Sequence, residues 1–216
     1  IVNPATGAML AEVAVDGHAA VRRKYELARA AQPRWGALPL KKRLDTIRAF
    51  REQLVKRLDS LAHTLTQEVG KPIRQSRNEV NGLLARIDFF LAESARTLRD
   101  QTVHTDAAQK LEERISHEPL GVIANISAWN YPYFVGGNVI IPALVAGNAV
   151  LYKPSEYATL TGMAVADMLH ASGVPENVFV PTIGDGTTGY ALLRQPVDGI
   201  FFTGSLATGS KIAAAA

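Results

Sequence analysis

"NAVLYKPSEYATLTGMAVADMLHASGVPENVFVPTIGDG", Asn148 to Gly186, is the stretch that decides the fold. An apolar run, "NAVLYK", is followed by a helical stretch, "SEYATLTGMAVADMLHASG", and then by a second apolar run, "NVFVPTI". Such runs alternating with helices are the signature of parallel strands covered by helices.

The same unit recurs on either side. Upstream, "GVIANIS" reads as a strand and "YFVGGNVIIPALVAG" as its helix. Downstream come a short helix, "TTGYALLRQ", a fourth strand, "DGIFF", and "TGSLATGSKIAAAA", which opens another helix. The expected fold class is α/β, a doubly wound parallel sheet preceded by a helical segment and a β-ribbon. Sheets of this kind hold ligands at the C-terminal ends of their strands. Four turns therefore matter: Ser127–Asn130, Lys153–Glu156, Gly184–Gly189 and Thr203–Gly209.

The first half has a different period. "IVNPATGAMLAEV" reads as a turn between short extended pieces, punctuated by Asn3-Pro4 and Thr6-Gly7. Asp16 is placed to cap a helix running to about Ala31, and Pro33 and Pro39 bracket Trp35. A second helix, Leu40 to Leu58, carries Leu44, Ile47, Phe50, Leu54 and Leu58 on one face. Asp59 is placed to cap a third, which ends near Gly70-Lys71-Pro72. A fourth, Ile73 to about Leu98, presents Val80, Leu83, Leu84, Ile87 and Leu91. "LEERISHEP" then alternates like an exposed strand, a sheet edge or a contact between copies, before the turn Pro119-Leu120-Gly121. The chain thus divides into a helical part (1–100), a ribbon (101–119) and a strand–helix part (120–216).

Composition bounds the function. The 216 residues are 47% hydrophobic and 20% charged, as in an ordinary globular protein of one or two domains. The absence of cysteine excludes a disulfide scaffold, a thiolate metal site and a thiol nucleophile within this stretch. Five scattered histidines lack ligand spacing, so no metal is expected. The net charge of +3 conceals +5 over residues 1–118 and −2 over 119–216. The basic half mixes both signs along helical faces without interleaved aromatics, which argues against nucleic acid. Leu120 to Tyr152 is free of charge and long enough to span a bilayer. Its two prolines, four asparagines and several glycines make it a strand, helix and strand instead, so no membrane partner is expected. No signal peptide is visible, and the chain begins at Ile1 without methionine. Its N-terminus is expected either to be trimmed or to lie outside this stretch, and its compartment to be the cytoplasm.

Two of the turns imitate phosphate-binding motifs. Gly184-x-Gly186-x-x-Gly189 spells the dinucleotide fingerprint. However, it follows the third strand rather than the first, and no acid lies between Thr203 and Lys211, after the next strand, to take ribose hydroxyls. A tight strand-to-helix turn and a close approach of ligand to backbone both remain open. Gly204 to Lys211 nearly spells a P-loop, but its lysine is displaced by one position, which rejects an NTPase. Gly204 and Ser205 still open a helix after a strand, where free N–H groups can hold one phosphate. As a plain alternative, Ser205 is simply an N-cap. Lys153 and Glu156 are spaced to take the hydroxyls of one ribose, and Glu156 would repel a 2′-phosphate. Asn130, at the end of the first strand, is either an N-cap or an amide donor to a developing oxyanion. The sequon Asn125-Ile-Ser127 is discounted because it lies inside an apolar strand.

Taken together, "EPLGVIANISAWNYP", "PALVAGNAVLYKPSE", "GVPENVFVPTIGDG" and "IFFTGSLATGSKIA", in this order and spacing and with the preceding "VGKP", resemble the NAD(P)-dependent aldehyde dehydrogenase superfamily. The resemblance covers essentially the whole chain. It implies a Rossmann-like domain that binds NAD, with NADP as the alternative, and a small aldehyde as substrate. Asn130 would be the oxyanion-hole asparagine. Ser127, Ala128 and Trp129 would line the cofactor, and Lys153, Ser155 and Glu156 would take the adenosine ribose. Gly186 would lie on the adenine side. The cradle of the pyrophosphate would be Gly204 to Gly209, with Ser205 on the phosphates, Thr208 and Gly209 in the same turn and Thr203 near the nicotinamide.

There are departures from the pattern. The turn after Gly186 is one residue short, which puts Thr187 to Gly189 in doubt. Val139 stands where several members carry lysine. The family's nucleophilic cysteine and general-base glutamate lie downstream of the last helix here, so the resemblance implies an N-terminal part rather than a pseudoenzyme. The same missing part would complete a homodimer or homotetramer. Two other readings stay open: a semialdehyde or acyl-phosphate reductase of the same superfamily, and a cofactor-binding or oligomer-forming module without activity of its own.

Overall fold

The computed structural model describes residues 1–215. Four helices come first: α1 His18–Gly36, α2 Leu40–Lys56, α3 Leu58–Val69 and α4 Ile73–Thr97. A ribbon follows, β1 Gln101–Asp106 and β2 Leu111–Ile115, and then β3 Val122–Ile126, α5 Pro132–Ala146, β4 Ala149–Lys153, α6 Thr159–Ala171, β5 Phe179–Pro181, α7 Gly186–Leu193, β6 Gly199–Phe202 and α8 Leu206–Ala215.

The second sheet is parallel throughout, in the order β5-β4-β3-β6. The chain moves from β3 to β4 to β5 in one direction and then crosses back to place β6 on the other side of β3. The order therefore reverses between β3 and β6, and a crevice opens there at the C-terminal ends of the strands. β3 and β4 are buried along their whole length, as their apolar composition demands.

One buried core joins the two halves, with α4 packed along α5, α3 along α6 and α1 against β4. The expected helix faces are the buried ones. Leu44, Ile47, Phe50 and Leu54 of α2 and Val80, Leu83, Leu84 and Ile87 of α4 all lie inside, with Leu58 and Leu91 at the margin. Trp35 is buried, and its indole N–H donates to the Leu144 carbonyl at 3.0 Å.

Local readings are corrected at several ends. α1 continues through Pro33 to Gly36, because anchoring Trp35 in the core outweighs the lost backbone bond. Gly17, not Asp16, occupies its N-cap position. The Asp16 carboxylate instead accepts from the Ile183 N–H at 2.7 Å and from Lys24 Nζ at 2.5 Å, tying the leading segment to the turn after β5. Asp59 sits in the first turn of α3 and pairs with Arg77 rather than capping. The helix expected from Ser155 begins with a short 3-10 turn, Glu156–Ala158, before α6. β5 is only three residues long and ends at Pro181, which lacks a donor and suits this sheet edge. β6 is half-exposed rather than buried, because it forms the opposite edge and α8 buries no residue. The ribbon pairs antiparallel, and Val103, Leu111 and Ile115 are exposed on it.

Candidate active-site cleft

At the reversal between β3 and β6, the N–H of Thr203 donates to the Ile126 carbonyl at 3.0 Å. The N–H of Ser127 donates to the Lys153 carbonyl, also at 3.0 Å. These bonds extend the sheet by one residue past each strand and bring three of the turns to one rim. The cleft they enclose has a volume of about 920 Å³.

The first turn supplies Ser127, Ala128, Trp129 and Asn130 to its wall. Ser127 is buried, and its hydroxyl has no hydrogen-bond partner among the described residues. Trp129 is half-exposed. Asn130 is exposed, and its side-chain amide makes no hydrogen bond among the described residues. It is not the N-cap of α5, a position held by Tyr131.

The second turn supplies Lys153, Ser155 and Glu156. Lys153 Nζ lies 3.8 Å from Glu156 Oε2, with the lysine buried and the glutamate half-exposed. Burial pushes the Lys153 ammonium below the usual lysine range, against the opposing pull of Glu156 and Asp185. The Ser155 hydroxyl accepts from the Tyr157 N–H and so caps the 3-10 turn.

Of the three glycines in the fingerprint imitation, Gly186 and Gly189 reach the cleft and Gly184 does not. Gly184 has φ +149°, and a Cβ there would run into the Thr188 side chain and Val15. Only glycine fits it. Gly186 has open space where a Cβ would stand. The first glycine thus makes a tight turn, and the second leaves room beside the cleft.

Thr203, Gly204, Ser205 and Thr208 line the far wall. Gly209 does not. It rests on the Phe202 ring, 3.2 Å from where its Cβ would be, and the same ring blocks a Cβ at Gly204. Ser205 is an N-cap: its hydroxyl accepts from the Thr208 N–H at 3.2 Å. The N–H groups of Leu206 and Ala207 have no partner among the described residues.

Four helices begin at this edge of the sheet, and three of their N-termini meet a carboxylate. Glu79 accepts from the N–H groups of Tyr133 and Phe134 in α5 at 2.8 and 3.3 Å. Glu68 accepts from Leu160 and Thr161 in α6 at 2.6 and 2.9 Å. Asp185 accepts from Thr187 in α7 at 2.8 Å. α8 has only the neutral Ser205. Desolvation pushes the Glu68 and Glu79 carboxyls above their usual range, and the helix N–H groups, with Lys71 at Glu79, pull them back.

Behind Asn130 lies a group that sequence reasoning did not single out. Lys71 pairs with Glu79, donates to the Asn130 carbonyl at 2.6 Å and stands 3.6 Å above the centre of the Tyr131 ring. The signal was present in "VGKP", where a helix-ending glycine and a helix-starting proline clamp a lysine. Glu79, inside a regular helix, gave none. Tyr190, Leu193, Lys211 and Ile212 also line the cleft unannounced.

A parallel sheet with a cleft at its switch point is the arrangement of the doubly wound class, whose ligands bind at that place. The family follows from comparison. The profile of the aldehyde dehydrogenase family matches residues 1–216, and the chain belongs to that family. It is 34% identical over 208 residues to an N-succinylglutamate 5-semialdehyde dehydrogenase of Sphingopyxis alaskensis, covering 96% of this chain and 42% of that protein. It superposes with a TM-score of 0.93 on an NADP-dependent glyceraldehyde-3-phosphate dehydrogenase of Bacillus halodurans complexed with NADP. That pair is 31% identical, over 100% of this chain and 46% of the other. It superposes equally, with a TM-score of 0.93, on an indole-3-acetaldehyde dehydrogenase of P. syringae in complex with NAD+ and IAA, at 32% identity over 99% of this chain and 44% of that one. The chain spans less than half the length of these relatives. Among the described residues, no helix is long and apolar enough to cross a membrane.

Proposed function

We propose that this chain is the N-terminal, cofactor-binding part of an enzyme that oxidises an aldehyde to a carboxylic acid with NAD(P)+. The observation that carries this reading is that, of the four helix starts at this edge of the sheet, the one left without a carboxylate among the described residues, that of α8, opens on the same cleft as the Lys153–Glu156 pair. Two anionic phosphates suit the unpaired N–H groups of Leu206 and Ala207. A ribose suits an ammonium and a carboxylate that are held 3.8 Å apart. The open space at Gly186 suits a flat base, and the unpartnered Ser127 hydroxyl offers a further polar contact. The residues present therefore fit a nicotinamide dinucleotide.

When bound, the cofactor supplies a hydride acceptor. Lys153 and Glu156 hold the adenosine ribose, with Ser155 shaping the turn beneath them. Glu156 disfavours a 2′-phosphate by like charge, so NAD is preferred. Gly204, Ser205 and Thr208 cradle the phosphates, and Gly209 acts indirectly by letting the turn settle on Phe202. Thr203 and the segment Ser127–Trp129 line the nicotinamide half. Asn130 donates its amide to the oxygen that gains negative charge when a nucleophile attacks the carbonyl. The nucleophile of this chemistry comes from outside these 216 residues, which contain no cysteine.

Relatives named as semialdehyde dehydrogenases support an aldehyde that bears a second polar group as the substrate class. The exposed ribbon, with Val103, Leu111 and Ile115, serves as a contact between copies of a cytoplasmic homo-oligomer. The decisive test is NAD+-linked aldehyde oxidation by the whole protein and by its Asn130→Ala variant. Losing one oxyanion donor lowers kcat by about 10²–10³ while cofactor affinity is kept. A near-normal rate in the variant removes Asn130 from the mechanism, and an acyl product other than the acid replaces the aldehyde-to-acid dehydrogenase reading with the acyl-phosphate reductase one.

A further inference from the structure

The Asn130 amide has to be aimed, yet no hydrogen bond among the described residues holds its side chain. Asn130 is exposed, and its amide makes no hydrogen bond among the described residues. Its place is therefore set through the main chain between the end of β3 and the start of α5. On the β3 side, the Ser127 N–H is fixed to the Lys153 carbonyl. On the α5 side, the first polar anchor is Lys71.

Lys71 is itself rigidly mounted. Gly70 ends α3 in the left-handed conformation, at φ +77°, and Pro72 precedes α4 with its φ fixed by the ring. From this two-sided mount the ammonium reaches three groups: the Glu79 carboxylate, the Asn130 carbonyl and the face of Tyr131. Lys71 and Glu79 are nearly dry, with side-chain exposures of 8% and 0%. Glu79 in turn holds the first two N–H groups that α5 offers, since Pro132 has none. The carboxylate thus fixes the helix, the lysine fixes the carbonyl just before it, and the two are fixed to each other.

A buried pair of this kind adds little stability over a well-packed apolar pair. Its distinctive effect is geometric, because the one ammonium grips the carboxylate and the carbonyl at once. We propose that Lys71 and Glu79 are positioning residues that set the place of the Asn130 amide, and so the rate of the step in which that amide receives negative charge. The proposal rests on the reading of Asn130 given above.

The experiment uses the whole enzyme and a double-mutant cycle. Lys71→Met is expected to lower kcat by about ten- to a hundredfold, the loss that a misplacement near 1 Å produces, with the dissociation constant for NAD+ within about twofold of wild type. In the Asn130→Ala background the same substitution has no further effect on kcat, since no amide remains to be aimed. A general structural role would lower kcat equally in both backgrounds, and that additive result overturns the proposal. Lys71→Arg keeps a cation and donors and is expected to recover most of the rate. If Lys71→Met yields no soluble protein, Glu79→Gln runs the same cycle, because its amide oxygen still accepts from Tyr133 while the ion pair is lost. If Asn130→Ala alone leaves kcat unchanged, the Asn130 reading fails and the positioning proposal falls with it.

Discussion

Helices α5 and α8 both begin at the C-terminal edge of the sheet, one on each side of the switch point, and their N-termini are treated in opposite ways. α5 is closed: Pro132 removes one donor, and Glu79, reaching across from α4, takes the next two. α8 is open: Ser205 caps one donor, and the N–H groups of Leu206 and Ala207 have no partner among the described residues. A helix N-terminus carries a partial positive charge that favours an anion. Where the protein supplies the anion, the helix becomes scaffold and the preceding loop is held still. Where it withholds one, as at α8, the proposed function makes the helix a receptor. On the reading proposed above, the same element serves as mount or as binding site, depending on a residue 54 positions away in sequence.

Giving α8 the closure that α5 already has breaks this comparison most severely. Ser205→Asp keeps an N-cap and adds the missing carboxylate. It is expected to weaken cofactor binding by about a hundredfold, equivalent to about 2.7 kcal/mol, while the melting temperature holds or rises, because an acid at this position favours the helix. Calorimetric titration with NAD+ together with thermal unfolding checks both halves. Unchanged affinity would mean that the phosphates lie elsewhere, and a lowered melting temperature would mean that the cap geometry has been misjudged.

The neighbouring turn gives a smaller and purely structural contrast. Gly184 and Gly186 are two residues apart in what reads as a nucleotide fingerprint, yet only Gly184 needs to be glycine. Gly184→Ala is expected to cost about 1–3 kcal/mol of stability through backbone strain and the Thr188 clash. Gly186→Ala should stay within about 0.5 kcal/mol and act, if at all, on cofactor affinity. Denaturant unfolding of both variants separates the two. Equal losses would show that the turn tolerates neither.

These contrasts also mark what the sequence could reveal. Strand and helix order was legible because apolar runs and helical periods are local properties. The four turns were legible because parallel sheets place ligands at the ends of strands. Gly186, Lys153 and Glu156 reach the cleft where the spacing put them. Gly209 does not, since its contact with Phe202 is set by how a ring folds back across a turn. Asp16 looked like the cap of α1 by position alone. It instead bonds to Ile183, far along the chain, which no local rule can foresee. Glu68 and Glu79 were silent for the same reason. A glutamate in a helix reads as a solvated residue until the fold brings another helix's N-terminus to it.

The mildest test concerns the pair that the cofactor's ribose would join. Lys153 is held below the usual lysine range by burial, and the negative charges of Glu156 and Asp185 hold it up. Glu156→Gln removes one of those supports and also the like charge facing a 2′-phosphate. Two results follow from the one change. NAD+ should bind several-fold more weakly while NADP+ loses less, so the preference between them narrows. The sign of the pH effect follows from the lysine. A depressed ammonium loses its proton below the ordinary value of about 10.4, so cofactor affinity should fall off on the alkaline side earlier than a free lysine would predict. Without Glu156 the ammonium is depressed further, and that fall should begin at still lower pH. Affinity for both cofactors measured across the alkaline range decides it. An alkaline limb that stays put while the NAD+ preference narrows would mean that Glu156 acts on the ligand directly and not through Lys153.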